Sequence, residues 1–95
     1  MSEEDSKVAA GIFNALGSEV RLRILRMLMA TKKPLHIRGV ARNLKIDYAA
    51  VYRHVGVLKR AKLIEVYDVG RSRVLSPRQP ELLIDLIRKT KDLTK

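Results

Sequence analysis

The sequence contains no cysteine and no tryptophan among its 95 residues. Without cysteine there is neither a disulfide framework nor a thiolate metal site. Also missing is the run of roughly eighteen apolar residues that a membrane-spanning helix needs. The opening MSEEDSK is acidic and lacks the apolar segment of a secretory signal. The expected address is therefore cytoplasmic, and the expected organisation a single domain over residues 1–95, with 1–6 as a disordered tail. Aromatic residues are few, yet two of the three tyrosines fall within one stretch, YAAVYRHVGVLKRAKLI at 48–64.

Acidic residues are scarce in one region only. Residues 1–20 carry one lysine against four acids, whereas residues 21–78 carry fifteen Lys and Arg against Asp47, Glu65 and Asp68. The remaining residues, 79–95, are nearly balanced, and the chain totals +10. Solubility alone needs no such segregation of sign. A cationic middle points to a polyanionic partner, most often nucleic acid.

Apolar spacing predicts mostly helices. Val8, Ile12, Phe13 and Leu16 recur at helical intervals over Ser6–Leu16, with Gly17 as a left-handed stop. Ser18 is placed to cap a second helix running to Ala30, with Leu22, Leu25, Leu28 and Met29 inward and Ile24 on its flank. Pro34 breaks the pattern, and Leu35-His36 suits a brief strand. Ile37, Val40, Ala41 and Leu44 then mark a short third helix. After a three-residue turn, Asp47 is suited to cap a fourth helix whose inner stripe is Val51, Val55 and Leu58. Two helices joined tightly, the second capped and cationic, make a helix-turn-helix signature.

Beyond Leu63 the period changes from 3.6 to 2. Residues 64–69 and 73–75 read as two strands around a Gly70-Arg71-Ser72 turn. Pro80 suits the first turn of a last helix to about Leu93. The expected fold is thus mainly α with a small β-hairpin (α+β), in the order α-α-(β)-α-α-β-β-α: a winged helix-turn-helix.

Over roughly Phe13–Leu75 the chain resembles the ArsR-like transcriptional repressors. ALGSEVRLRILRML (15–28) is similar to that family's first long helix, IRGVARNLKIDYAAVYRHVGVLKRAKLIEV (37–66) to its helix-turn-helix, and VGRSRVL (69–75) to its wing. Lys62 departs from the pattern, standing where the family has glycine to end the recognition helix. A lysine there would hold a left-handed conformation at a cost of about 1 kcal/mol. The resemblance implies DNA binding and repression. It does not extend to metal sensing, because the position before the turn offers only His36 and the last helix has no histidine. No metal or cofactor is expected.

Catalysis is not expected either. His54 borders the buried stripe with no Ser or Cys nucleophile and no carboxylate pair beside it, and GRSR lacks the spacing of a phosphate loop. The outward face of the fourth helix is the better candidate. Tyr48, Ala49, Ala50, Tyr52 and Arg53 are expected near base edges in the major groove of double-stranded DNA, with Lys59 and Arg60 nearer the backbone. Gly56, costly in mid-helix, suggests close approach of another surface. Arg71, Ser72 and Arg73 would serve as wing contacts, joined by Arg78, and Arg38 and Arg42 as grips on flanking phosphates.

A domain this small leaves apolar stripes uncovered. Ile12, Phe13 and Leu16 in residues 6–16, with Leu83, Leu86, Ile87 and Leu93 in residues 80–93, are the expected homodimer interface. The competing readings are an architectural DNA-binder of low sequence preference and a winged-helix protein-interaction module.

Overall fold

The computed structural model describes residues 1–95. Its first helix, α1 (Glu3–Leu16), starts earlier than the apolar spacing suggested. The Ser2 hydroxyl accepts from the Asp5 amide and the Asp5 carboxylate accepts from the Ser2 amide, a reciprocal capping box. Glu3 and Glu4 sit in the same turn, where the helix dipole favours negative charge. The acidic stretch expected as a tail over 1–6 is thus, from Glu3 onward, the start of a helix. Gly17 does end it, but with φ −79° and not in the left-handed region. Glycine suits the site for another reason: a Cβ would lie 3.1 Å from the Phe13 carbonyl oxygen.

Ser18 caps α2 (Glu19–Met29) by accepting from the Arg21 amide. Ile24, expected on the flank, is completely buried with Leu25 and Leu28, while Leu22 and Met29 are only half-buried. The physical reason is that α2 is central, touched by α1, the helix-turn-helix and the sheet, so its inward face is wider than one stripe.

Strand β1 (Leu35–His36) leads directly into α3 (Ile37–Leu44), and α4 (Tyr48–Arg60) follows. Both helices end in the same way. After α3, Lys45 adopts φ 57°, its amide bonds Arg42 O, and the Ile46 amide bonds Ala41 O. After α4, Lys62 adopts φ 61°, its amide bonds Lys59 O, and the Leu63 amide bonds Leu58 O. These are two Schellman terminations built on lysine, where glycine would be free of strain. The left-handed Lys62 was expected from the sequence; its twin at Lys45 was not.

Strands β2 (Ile64–Val69) and β3 (Ser72–Pro77) pair antiparallel from Ile64↔Pro77 to Val69↔Ser72, leaving Gly70-Arg71 as a two-residue turn. Gly70 carries φ +61°, as its place at the first central position requires. Ser72 accordingly belongs to the strand, not the turn. β1 pairs with the other edge of β3, Leu35↔Leu75, so the wing is the outer part of a three-stranded sheet, β1-β3-β2.

The last helix, α5, spans Pro80–Lys89, and Thr90–Thr94 tightens into a 3₁₀ turn. The helix expected to run to about Leu93 thus changes form after Lys89, and Leu93 is 86% exposed on the protomer. Leu83 is also corrected: at 5% exposure it closes the protomer's own core, and Ile87 packs against that core from its edge. The core gathers Ile24, Leu25, Leu28, Ile37, Val40, Val51, Val55, Leu58, Ile64 and Leu75. α1 contributes only Ala15 to the buried set.

The protomer exposes 7219 Å². A compact monomer of 10.8 kDa exposes about 5,500 Å², so roughly 1,700 Å² is in excess. Its radius of gyration, 13.9 Å, likewise exceeds the about 12 Å expected for this length.

Candidate nucleic-acid interface

The outward side of α4 begins at Asp47, whose carboxylate accepts from the Ala50 amide at 3.4 Å. From that cap, Tyr48, Ala49, Tyr52 and Arg53 are exposed and Ala50 is half-buried. The two tyrosines are one turn apart, with ring centres 6.3 Å from each other. Each carries an arginine from another element. The Arg38 guanidinium of α3 stands 5.1 Å from the Tyr48 ring, and that of Arg73 in β3 stands 5.0 Å from the Tyr52 ring. Arg73 also donates to the Tyr52 hydroxyl at 3.0 Å and reaches Asp68 at 3.7 Å. A continuous cationic and aromatic strip therefore runs from α3 over the start of α4 to the wing.

Beside this strip lies a depression of about 370 Å³ lined by His36, Arg38, Arg42, Tyr48, Arg71, Ser72 and Arg73. The structure thus brings the proposed backbone grips and wing residues to one hollow, and it adds His36, which sequence reasoning did not place there. Arg38, Arg42, Arg53 and Arg71 form no ion pair with any carboxylate. Their charge is not neutralised within the chain.

Two residues, Gly56 and Arg78, have surroundings the sequence did not suggest. Gly56 is half-buried, and the Arg60 guanidinium folds back to within 3.3 Å of where a Cβ would stand. The Arg60 side chain occupies the space that a side chain at position 56 would take. Together with Lys59, Lys62 and Arg73, Arg60 lines a crevice between α4 and the sheet. Arg78 does not join the wing tip: it donates to the Lys62 carbonyl and pairs with Glu65 at 3.6 Å, at the far end of the hairpin.

Arg21 was not singled out by its position in the sequence, yet it ties three elements together. Its guanidinium donates to the carbonyls of Ala15 (2.6 Å) and Asn14 (3.0 Å) at the end of α1, and to His54 Nδ1 (3.1 Å) on α4. His54 is held below its usual pKa, first by burial and then by the Arg21 and Arg53 cations. A neutral ring with Nδ1 as acceptor fits that environment. No three His, Asp or Glu side chains converge as metal ligands would, and no helix is long and apolar enough to cross a membrane.

Elsewhere, a groove of about 410 Å³ separates α1 from α5, lined by Val8, Ile12, Leu82, Leu83 and Leu86 together with the end of α4. Phe13 is 60% exposed and Leu82 64% exposed nearby, while Leu16 packs partly on the core.

A helix-turn-helix followed by an antiparallel hairpin, closed by a terminal helix, defines a winged helix-turn-helix protein. The family model described as HVO_A0114 matches residues 17–80, and the chain belongs to that family. No curated protein sequence is significantly similar. Among solved structures, the chain is similar to HlyU from Vibrio cholerae N16961 (22% identity, 94% of this chain and 97% of that one, TM-score 0.79). It is also similar to NolR from Sinorhizobium fredii (20% identity, 96% and 92%, TM-score 0.77). A third relative in fold is the homodimeric winged helix-turn-helix DNA-binding domain of Mb0332 from Mycobacterium bovis, described as a possible ArsR-family transcriptional regulator (18% identity, 97% and 88%, TM-score 0.80).

Proposed function

We propose that the protein is a homodimeric, sequence-specific double-stranded DNA-binding transcriptional regulator. It acts in the cytoplasm, without metal or cofactor, and represses by occluding a promoter. It is a binding protein and not an enzyme. The observation that carries this reading is the exposed strip Arg38–Tyr48–Tyr52–Arg73 together with the unpaired Arg42, Arg53 and Arg71 beside it. The first turns of α4 enter the major groove, where Arg53 pairs with guanine and Ala49 or Ala50 touches a thymine methyl. Arg71 at the wing tip lies at the minor groove or the backbone, and Arg38 and Arg42 hold flanking phosphates.

Dimerisation is supported by the roughly 1,700 Å² of excess surface, more than the about 800 Å² per partner of a standard interface. Ile12, Phe13, Leu82 and Leu86 form its apolar centre. A two-fold pair presents two α4 helices about 34 Å apart, so the operator is an inverted repeat with half-sites one helical turn apart.

Selection of bound duplexes from a random pool tests this directly. An enriched palindrome whose affinity falls steeply with salt is the expected result, with about five phosphates neutralised per protomer. Salt-sensitive binding with no enriched sequence would replace this reading with an architectural one, and absence of binding would point to a protein-interaction module.

A further inference from the structure

α1 extends from the protomer with little beneath it: Val8 and Phe13 are exposed, and only Ala15 is buried. Its first turn carries Glu3 and Glu4, neither of which pairs with a cation of its own chain. These are unusual acids here. Of the ten acidic residues, Glu65, Asp68, Asp85 and Asp92 are in ion pairs, and Asp5 and Asp47 cap helices. Glu3 and Glu4 are adjacent and unengaged, at the end of a projecting helix.

A groove of about 550 Å³ between α2 and α5 has the opposite character. Arg23, Arg26 and Arg88 rim an apolar floor that includes Ile84 and Ile87. Glu19 is the only carboxylate among its lining residues, so the groove keeps a surplus of two positive charges. None of the three arginines forms an ion pair or a side-chain hydrogen bond within the chain.

We propose that this groove receives the acidic first turn of α1 from a second copy of the chain, and that the resulting Glu–Arg pairs fix the register of the dimer. This rests on the dimer proposed above. The charges are complementary, and the chain carries no other adjacent pair of free acids. Reach is sufficient: Glu3 lies nine residues, about 13 Å of helix, ahead of Ile12 at the proposed apolar centre, against a helix diameter of about 10 Å, so α1 can cross the partner's α5 and bring its first turn to the α2 side. Two-fold symmetry makes each contact twice. The arrangement also answers an electrostatic difficulty, since two chains of +10 repel one another and their acidic segments would repel DNA. Docked on the partner's arginines, the acids offset both effects.

The test is the dimer dissociation constant of the full chain, measured by sedimentation equilibrium at low salt. Oligomeric state is the readout because any change of charge alters DNA affinity. Glu3→Lys/Glu4→Lys is expected to weaken the dimer by about ten-fold or more, and Arg23→Glu/Arg26→Glu by a similar factor. Combining all four restores it to within about three-fold of the unaltered chain, a rescue that a general loss of folding cannot produce. The absence of cysteine allows a second measurement. Glu4→Cys/Arg26→Cys, once oxidised, should run as a covalent dimer, whereas Glu4→Cys/Arg42→Cys should not. If the unaltered chain is monomeric, the dimer reading and this inference fall together. If it is a dimer indifferent to these reversals, or the combined variant is not rescued, this inference alone falls.

Discussion

The Arg73 guanidinium stands 5.0 Å from the centre of the Tyr52 ring and donates to the Tyr52 hydroxyl at 3.0 Å, joining the wing to α4 within the protomer. Asp68, its cross-strand neighbour, approaches Arg73 at 3.7 Å. The helix and the hairpin are thereby held in one relation, which would lower the ordering cost of the proposed DNA binding. Because the two side chains act as a unit, their substitutions should not add. Arg73→Ala is expected to weaken operator binding by about ten-fold, Tyr52→Phe by less, and the double variant by less than their product, with a coupling of about 0.5–1 kcal/mol. Fluorescence anisotropy at fixed salt measures the cycle; strict additivity would show that the two side chains meet DNA independently.

Arg53 and Lys59 should separate sequence reading from charge. Arg53 is exposed and unpaired near the start of α4, where a bidentate pair with guanine is worth about 1–3 kcal/mol. Arg53→Ala is expected to lose about ten- to a hundred-fold on the selected operator while random duplex is affected far less. Lys59→Ala should weaken both alike and reduce the slope of log K against log salt by about one. Titrations on both duplexes across a salt series decide it, and equal losses for Arg53→Ala would remove it from base contact.

The helix-turn-helix and hairpin were legible because apolar period, caps and turn residues agree locally. Asp47, Val51, Val55 and Leu58 define α4 without help from the rest of the fold. What failed was decided at a distance. Ile24 reads as a flank residue until neighbours on several sides widen the buried face of α2. Leu83 fits a coiled-coil seam by spacing, yet the small core needs it. Arg21 drew no notice and Arg73 read only as a wing contact, because nothing in the sequence announces His54 or Tyr52 beside them. Ser2 with Asp5 was different: the pair that forms the capping box is local in sequence, yet it lies within the segment expected as a tail.

Lys45 and Lys62 predict a stability gain. Each holds a left-handed conformation, φ 57° and 61°, that costs a side chain about 1 kcal/mol or more and costs glycine nothing sterically. Glycine loses more freedom on folding, so the net gain should be about 0.5–1 kcal/mol for Lys45→Gly or Lys62→Gly, and nearly additive for both. The Lys62 carbonyl that accepts from Arg78 is backbone and survives the change. Urea denaturation at one protein concentration measures the effect, since a dimer's stability depends on concentration. A loss of stability on Lys62→Gly would mean that the lysine side chain contributes more than its strained backbone costs.

His54 makes stability depend on pH with a defined sign. Burial, then the Arg21 and Arg53 cations, hold its pKa below the usual 6.5 in the folded protein. As pH falls below about 6.5, the unfolded chain takes up a proton that the folded chain resists, and the equilibrium moves toward unfolding. The contribution is therefore complete above about 6.5 and declines as pH drops toward the lowered folded value. Protonation would also remove the acceptor for Arg21, whose other bonds secure the end of α1. The thermal midpoint should decrease from pH 7 to pH 5, and His54→Gln, neutral and still able to accept from Arg21, should show a shallower decrease. Parallel pH profiles for the two proteins would remove His54 from the account and leave the acid sensitivity to other groups.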